Sequence, residues 1–363
     1  METKTGVSAQ LDILALEPFY GGVRRAMLEA IIRGSRHRWT LLKLPPRRIE
    51  RRLAAASHWF AEQLSRHWVG NLDLLFTSEA LNLSDLYRLM PALLKKPSVV
   101  YFHSDQLPDP GATAQTPLDL VNLNTAAAAS EIWFNSMFHL RSFLARAGAL
   151  VKRHPELSSH SPMGELTTKA QIFQPPIDLS ALHALAPSMK GQRSRRSIFV
   201  ETRDSDVNLL NAVFATLERR GEEFKLYTVG NLDGLTPELP RTALPETDDH
   251  AQAQAMMECG IFLSVKHDAP VDHYAVRALA AGCWPLMPNS GVYRELIPEG
   301  LHSSCLYDGR ADQLTGRIQD VFHLEQASGY EAQQLLILRR FDPVIACRAM
   351  DERLSDLTAT AVR

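Results

Sequence analysis

Three clusters of residues have types and spacing suited to chemistry. Residues 17–25 read EPFYGGVRR, with Gly21 and Gly22 side by side where an apolar run gives way to helical periodicity. Paired glycines there let backbone N–H groups approach a ligand closely, and the start of a helix favours an anion. A tight turn without a ligand accounts for the same pair. Residues 47–52 read RRIERR, where Arg47, Arg48 and Arg52 offer guanidinium forks to phosphate groups; plain solvated surface charge is the rival reading. Asp204 to Asp206 read DSD, a spacing by which carboxylates hold a divalent ion. A helix N-cap explains these aspartates better, so no metal is expected.

The elements that must position such residues follow from periodicity. Short apolar runs rich in branched residues alternate with helical patterns, which predicts parallel sheets with crossover helices, an α/β class. Strands are expected at 11–16, 39–44, 72–78, 98–103 and 131–136, with helices at 23–33 (stopped by Gly34) and 51–68. A connector follows, with Pro175, Pro176 and the polar run 190–196. The pattern then restarts with strands at 197–202, 224–230, 261–266 and 283–288, a helix through Arg220, another at 271–281, and helix from Ala311 to the end. This divides the chain into an N-terminal Rossmann-like domain (1–180), a linker (181–196), a C-terminal Rossmann-like domain (197–340) and a terminal helix (341–363) able to pack back on the first domain. Doubly wound units take ligands at the carboxyl ends of their strands, which predicts a central cleft that both sheets face.

A length of 363 residues suits two domains, and 45% apolar with 22% charged residues lets each bury an ordinary core. Four scattered cysteines fit a reducing cytosol better than a disulfide framework. The opening METKTGVSAQ lacks the basic and apolar regions of a secretory signal, and no apolar stretch approaches the roughly 20 residues that span a bilayer, so a cytoplasmic protein without a membrane segment is expected. The net charge of −2 hides an asymmetry: residues 1–200 hold 24 Lys+Arg against 16 Asp+Glu, and residues 201–363 hold 15 against 25. A basic first half suits a polyanionic partner, though solubilising charge gives the same count.

An ordered series of motifs is more specific than any of these alone. EPFYGG at 17–22, LPPRR at 44–48, YFHSDQL at 101–107, FNSMFHLRSFL at 134–144 and QPPID at 174–178 follow one another in that order. The series resembles the tRNA-queuosine mannosyltransferase family over roughly residues 11–180. The resemblance implies a GT-B glycosyltransferase that moves mannose from GDP-mannose, a nucleotide-sugar substrate and not a cofactor, onto queuosine in a tRNA with retention of configuration. It implies that His103 contacts the sugar or its leaving oxygen and that Gln106 acts beside it. Asn122, Asn135 and Ser136 would orient hydroxyls, with an N-cap as the other role for Asn135 and Ser136. Gly21 and Gly22 would approach the donor phosphates or the acceptor. Arg47, Arg48 and Arg52 would meet tRNA phosphates, although Ile49 and Arg51 stand where the family has tryptophans able to stack on bases.

The second half departs further from the pattern. The stretch 276–296, VRALAAGCWPLMPNSGVYREL, matches the helix, glycine turn and loop of retaining GT-B enzymes, in which Asn289, Gly291, Val292 and Glu295 would cradle the nucleotide. Ala269 and Arg277, however, occupy the two positions where such enzymes carry glutamates that hold sugar and ribose. Arg203, beside Asp204, stands in for the expected pyrophosphate-binding cations. Three readings stay open: the family's transferase, a transferase with another donor or acceptor, and a binding protein that has lost turnover.

Overall fold

The computed structural model describes residues 9–67, 70–109, 111, 118–154, 162–189, 191–201, 206–230, 234–236, 239–323 and 337–361. The chain divides into two compact units, Met1–Pro176 with Pro343–Arg363, and Ile177–Asp342. Each is built on a six-stranded sheet in which every paired strand is parallel.

The first sheet comprises β1 (Asp12–Glu17), β2 (Arg38–Lys43), β3 (Leu74–Ser78), β4 (Ser98–Phe102), β5 (Glu131–Phe134) and β6 (Ala170–Ile172), in the order β2-β1-β3-β4-β5-β6. Its central strands are apolar on both faces, as a sheet covered by helices on both sides requires. Leu14, Leu16, Leu75, Val100, Phe102, Ile132 and Phe134 pack on one face with Phe60 and Phe143; Ile13, Ala15, Phe76, Val99, Tyr101 and Trp133 pack on the other with Met27 and Ile31. The helix Pro343–Ala361 completes that second face through Cys347, Met350 and Leu354. Asp351 fixes it in place by accepting hydrogen bonds from Ser35 Oγ at 2.6 Å and from the Arg36 backbone N–H at 2.8 Å.

The second sheet comprises β7 (Ser194–Glu201), β8 (Lys225–Val229), β9 (Thr242–Leu244), β10 (Cys259–Leu263), β11 (Trp284–Pro288) and β12 (Leu306–Tyr307), in the order β12-β11-β10-β7-β8-β9. The helix Val207–Arg219 lays Leu210, Val213, Phe214 and Leu217 against it, at the spacing that puts side chains on one helical face. Asp206 caps that helix by accepting from the Leu209 N–H at 3.0 Å.

Three expectations need correction. Residues 181–196 hold most of the helix Ser180–Leu185 and the first residues of β7 in place of an open linker, because Leu182 is apolar enough to bury in the second core. The C-terminal stretch is not one helix: the helix Ala311–His323 is separated from Pro343–Ala361 by a 3₁₀ turn at Arg339–Phe341, where Pro343 takes the first helical position. Short strands β6, β9 and β12 carry no readable alternation and were missed, since two or three residues give no period.

Candidate functional site

In a doubly wound sheet a crevice opens where strand order reverses, outside the carboxyl ends of the two strands concerned. The first unit reverses between β1 and β3. Glu17 ends β1, Glu79 follows β3, and His103 and Ser104 follow β4. The helix Gly22–Gly34 starts beside them and contributes Arg24 from its first turn.

These residues form a buried charged cluster. Arg24 donates to both Glu79 oxygens, Nη1 to Oε2 at 2.8 Å and Nη2 to Oε1 at 2.5 Å. Glu79 also accepts from the backbone N–H groups of His103 (3.2 Å) and Ser104 (3.1 Å) and from Ser104 Oγ (3.2 Å). Burial alone raises a carboxyl, but Arg24, and then His103, outweigh it and hold Glu79 down at about 2. Glu17 behaves oppositely: burial pushes its carboxyl up to about 7, despite the nearby Arg24 guanidinium and hydrogen bonds from the Phe19 N–H (2.8 Å) and Ser78 Oγ (3.0 Å). With both carboxyls ionised the cluster has one negative charge in excess; a proton on Glu17 removes it.

The expected site residues fall into two groups here. His103 and Gly22 keep access to solvent, Gln106 is exposed, and so are Arg47 and Arg48. Gly22 has φ +52° with open space where a side chain would be, so its backbone is free to meet a ligand. Gly21 is small for another reason: a Cβ there would lie 2.5 Å from Pro46 Cγ. Asn122, Asn135 and Ser136, in contrast, are buried. Asn122 Nδ2 donates to the Glu79 carbonyl at 2.8 Å and its Oδ1 accepts from the Gln106 N–H at 2.6 Å. Asn135 Nδ2 donates to the His103 carbonyl at 3.0 Å, and its Oδ1 contacts His139 Nδ1 at 3.0 Å. Ser136 caps the helix Met137–Arg153 by accepting from the His139 N–H at 3.1 Å. Asn122 and Asn135 thus bind the two ends of the His103–Gln106 turn, and Ser136 Oγ lies 3.3 Å from Asn135 Oδ1. Arg52 spends one Nη2 bond on the Pro45 carbonyl at 2.9 Å.

The second unit reverses between β7 and β10. There the buried Glu201, at the end of β7, pairs with Lys266 beyond β10. Tyr293 OH donates to Asp272 Oδ2 at 2.8 Å and lies 2.7 Å from Ser264 Oγ, and Tyr307 OH donates to the Ser264 carbonyl at 2.8 Å. This network anchors the loop after β11. Asn289 and Val292 already spend their N–H groups on the carbonyls of Tyr307 (2.7 Å) and Ala269 (3.1 Å). Gly291, at φ +60°, crosses so near Ala269 that a Cβ would lie 3.0 Å from that residue's N and O. Glu295 is half-buried. Ser290 Oγ is buried with no hydrogen-bond partner among the described residues, which leaves it able to donate to a ligand. Arg277 bonds to the neighbouring helix Asp249–Glu258, with Nη1 3.1 Å from Asp249 Oδ1. Arg203 and Asp204 lie outside the described residues. No group of three or more His, Cys, Asp or Glu able to hold a metal occurs among the described residues, and no described helix is long and apolar enough to cross a membrane.

Sequence reasoning missed Arg24, Glu79, Lys266 and Ser290. Glu79 had a signal: a lone carboxylate directly after the apolar strand LLFTS marks a strand end.

Two such parallel sheets, with polar residues gathered at their strand ends, define the class: a GT-B glycosyltransferase architecture. The catalytic domain of starch synthase IV from Arabidopsis thaliana bound to ADP and acarbose superposes with a TM-score of 0.65 at 10% identity, covering 98% of this chain and 100% of that one. Sucrose-phosphate synthase from Thermosynechococcus elongatus gives a TM-score of 0.63 at 13% identity over 97% and 100%. Residues 12–177 match the family described as tRNA-queuosine alpha-mannosyltransferase N-terminal. A tRNA-queuosine alpha-mannosyltransferase of Drosophila melanogaster is 25% identical over 322 residues, covering 80% of this chain and 83% of its own. The first unit thus resembles the N-terminal part of tRNA-queuosine alpha-mannosyltransferases, and the chain as a whole is distantly similar to one of them.

Proposed function

We propose that this chain transfers mannose from GDP-mannose to queuosine in a cytoplasmic tRNA with retention of configuration. The family match over 12–177 carries this reading, together with a half-exposed His103 at the β4 end whose backbone is fixed on every side. In glycosyl transfer, negative charge grows on the departing phosphate and positive charge on the sugar ring. His103 would hydrogen-bond the sugar or its leaving oxygen, with Gln106 beside it. In the second unit the Ser290 hydroxyl, Gly291 and Arg203 would receive the nucleotide sugar, and in the first unit the Gly22 backbone would meet an anionic ligand. No protein nucleophile is needed when the acceptor attacks the face the leaving group vacates. Arg47 and Arg48, both exposed, would contact tRNA phosphates.

The test is direct. Purified protein incubated with GDP-mannose and queuosine-containing tRNA should add a hexose mass to the nucleoside. An unmodified nucleoside at full enzyme concentration overturns the proposal.

Ala269 and Arg277 favour a second reading, a transferase with another donor or acceptor. The two glutamate positions of retaining GT-B enzymes are empty of carboxylates here, and Arg277 is committed to Asp249. A thermal-shift panel of nucleotide sugars separates the readings, because a ligand at 100 times its dissociation constant stabilises by about 2.7 kcal/mol.

A further inference from the structure

Arg24 and Glu79 are buried, and they join two turns that lie beyond the strand ends. Strand β4 ends at Phe102, so His103 lies past the last ladder position. Gly21 caps the helix Gly22–Gly34 with no side-chain hydrogen bond, and the chain before it is tied only to the neighbouring β1 and β2 ends, through the Phe19 N–H on Glu17 and the Tyr20 N–H on the Leu44 carbonyl at 2.9 Å. Glu79 reaches both. Its carboxylate accepts five hydrogen bonds, two from Arg24 in the first turn of the glycine-led helix and three from His103 and Ser104. Arg24 Nη2 adds a contact to Ser104 Oγ at 3.3 Å. Bidentate charge-assisted bonds define geometry more tightly than single neutral ones. Inside a buried site, displacing one end therefore displaces the other.

We propose that the Arg24–Glu79 ion pair is a positioning device that couples the Gly21–Gly22 turn to the His103–Ser104 turn, so that the two move as one unit. The coupling rests on the transferase reading only for its functional consequence: a ligand on the glycine turn then sets the place of His103. Glu17, Tyr101 and the Phe19 ring also face this pair, and none of them bridges the two turns.

The full chain is compared in four forms: wild type, Glu79→Gln, His103→Ala and the double variant. Glu79→Gln is expected to lower kcat by about tenfold or more while KM for the nucleotide sugar stays within about threefold, and to have no further effect once His103 is alanine. Equal losses in both backgrounds, or no loss, overturn the proposal. If Glu79→Gln fails to fold, Arg24→Lys serves in the same cycle, because it keeps the charge and loses the fork. If the wild type turns over no nucleotide sugar at all, the proposed function has failed. The coupling is then read from amide resonances of the full chain: Glu79→Gln should shift Gly22 as well as His103 and Ser104. Shifts confined to His103 and Ser104 refute it.

Discussion

Replacing Glu17 by glutamine should make the first unit more stable than the wild type at alkaline pH and progressively less so as the pH falls. The Glu17 carboxyl is raised from its ordinary 4.5 to about 7 in the folded chain, with burial as the main cause. A group raised in this way contributes its stability below the unfolded value and loses it as pH rises toward the folded value. Between pH 4.5 and pH 7 the unfolded chain gives up the proton while the folded chain keeps it. The wild type therefore loses about 2.5 kcal/mol between pH 5 and pH 8 from this one residue. Glutamine keeps an acceptor for the Phe19 N–H and Ser78 Oγ and cannot ionise, so its stability lacks that slope. The assay is urea denaturation of the full chain followed by tryptophan fluorescence at several pH values. Four of the five tryptophans, Trp39, Trp59, Trp68 and Trp133, belong to the first unit, so its transition dominates the signal. A stability difference between variant and wild type that stays flat from pH 5 to pH 8 would show that Glu17 does not hold the excess proton.

Gly21→Ala should destabilise the first unit by about 1–3 kcal/mol, since its Cβ would meet Pro46 Cγ at 2.5 Å; the shift in urea midpoint measures it. Ser136→Ala should remove about 1 kcal/mol by uncapping the helix Met137–Arg153, visible in the same titration. Arg277→Ala should cost under about 1 kcal/mol, because its partner Asp249 is exposed, and should leave nucleotide-sugar thermal shifts unchanged. Gly291→Ala should weaken those shifts, because its added carbon would press 3.0 Å from the Ala269 backbone and displace the loop after β11.

Much of the architecture was legible because it is a local property. The apolar runs LDILAL and SVVYFH and the periodic helix before Arg220 declare strand and helix without reference to the rest of the chain, and Gly22 and Gly34 mark helix boundaries by what they lack. The motif series around His103 placed the candidate site at strand ends, because parallel strands always present their carboxyl ends together. What tertiary structure decided was partnership. Asn122 and Asn135 look in sequence like ligand contacts, and only packing shows their amide groups donating to the Glu79 and His103 carbonyls, whereas the N-cap that the sequence offered as the other role of Ser136 is the one it fills. Arg24 and Glu79 are 55 positions apart, and Lys266 and Glu201 are as remote in their own unit. A pairing between residues on different strands and helices depends on strand order, which reverses between β1 and β3 and again between β7 and β10. Periodicity carries the identity of each element, whereas the order in which strands come together is set by how the whole chain buries its apolar faces.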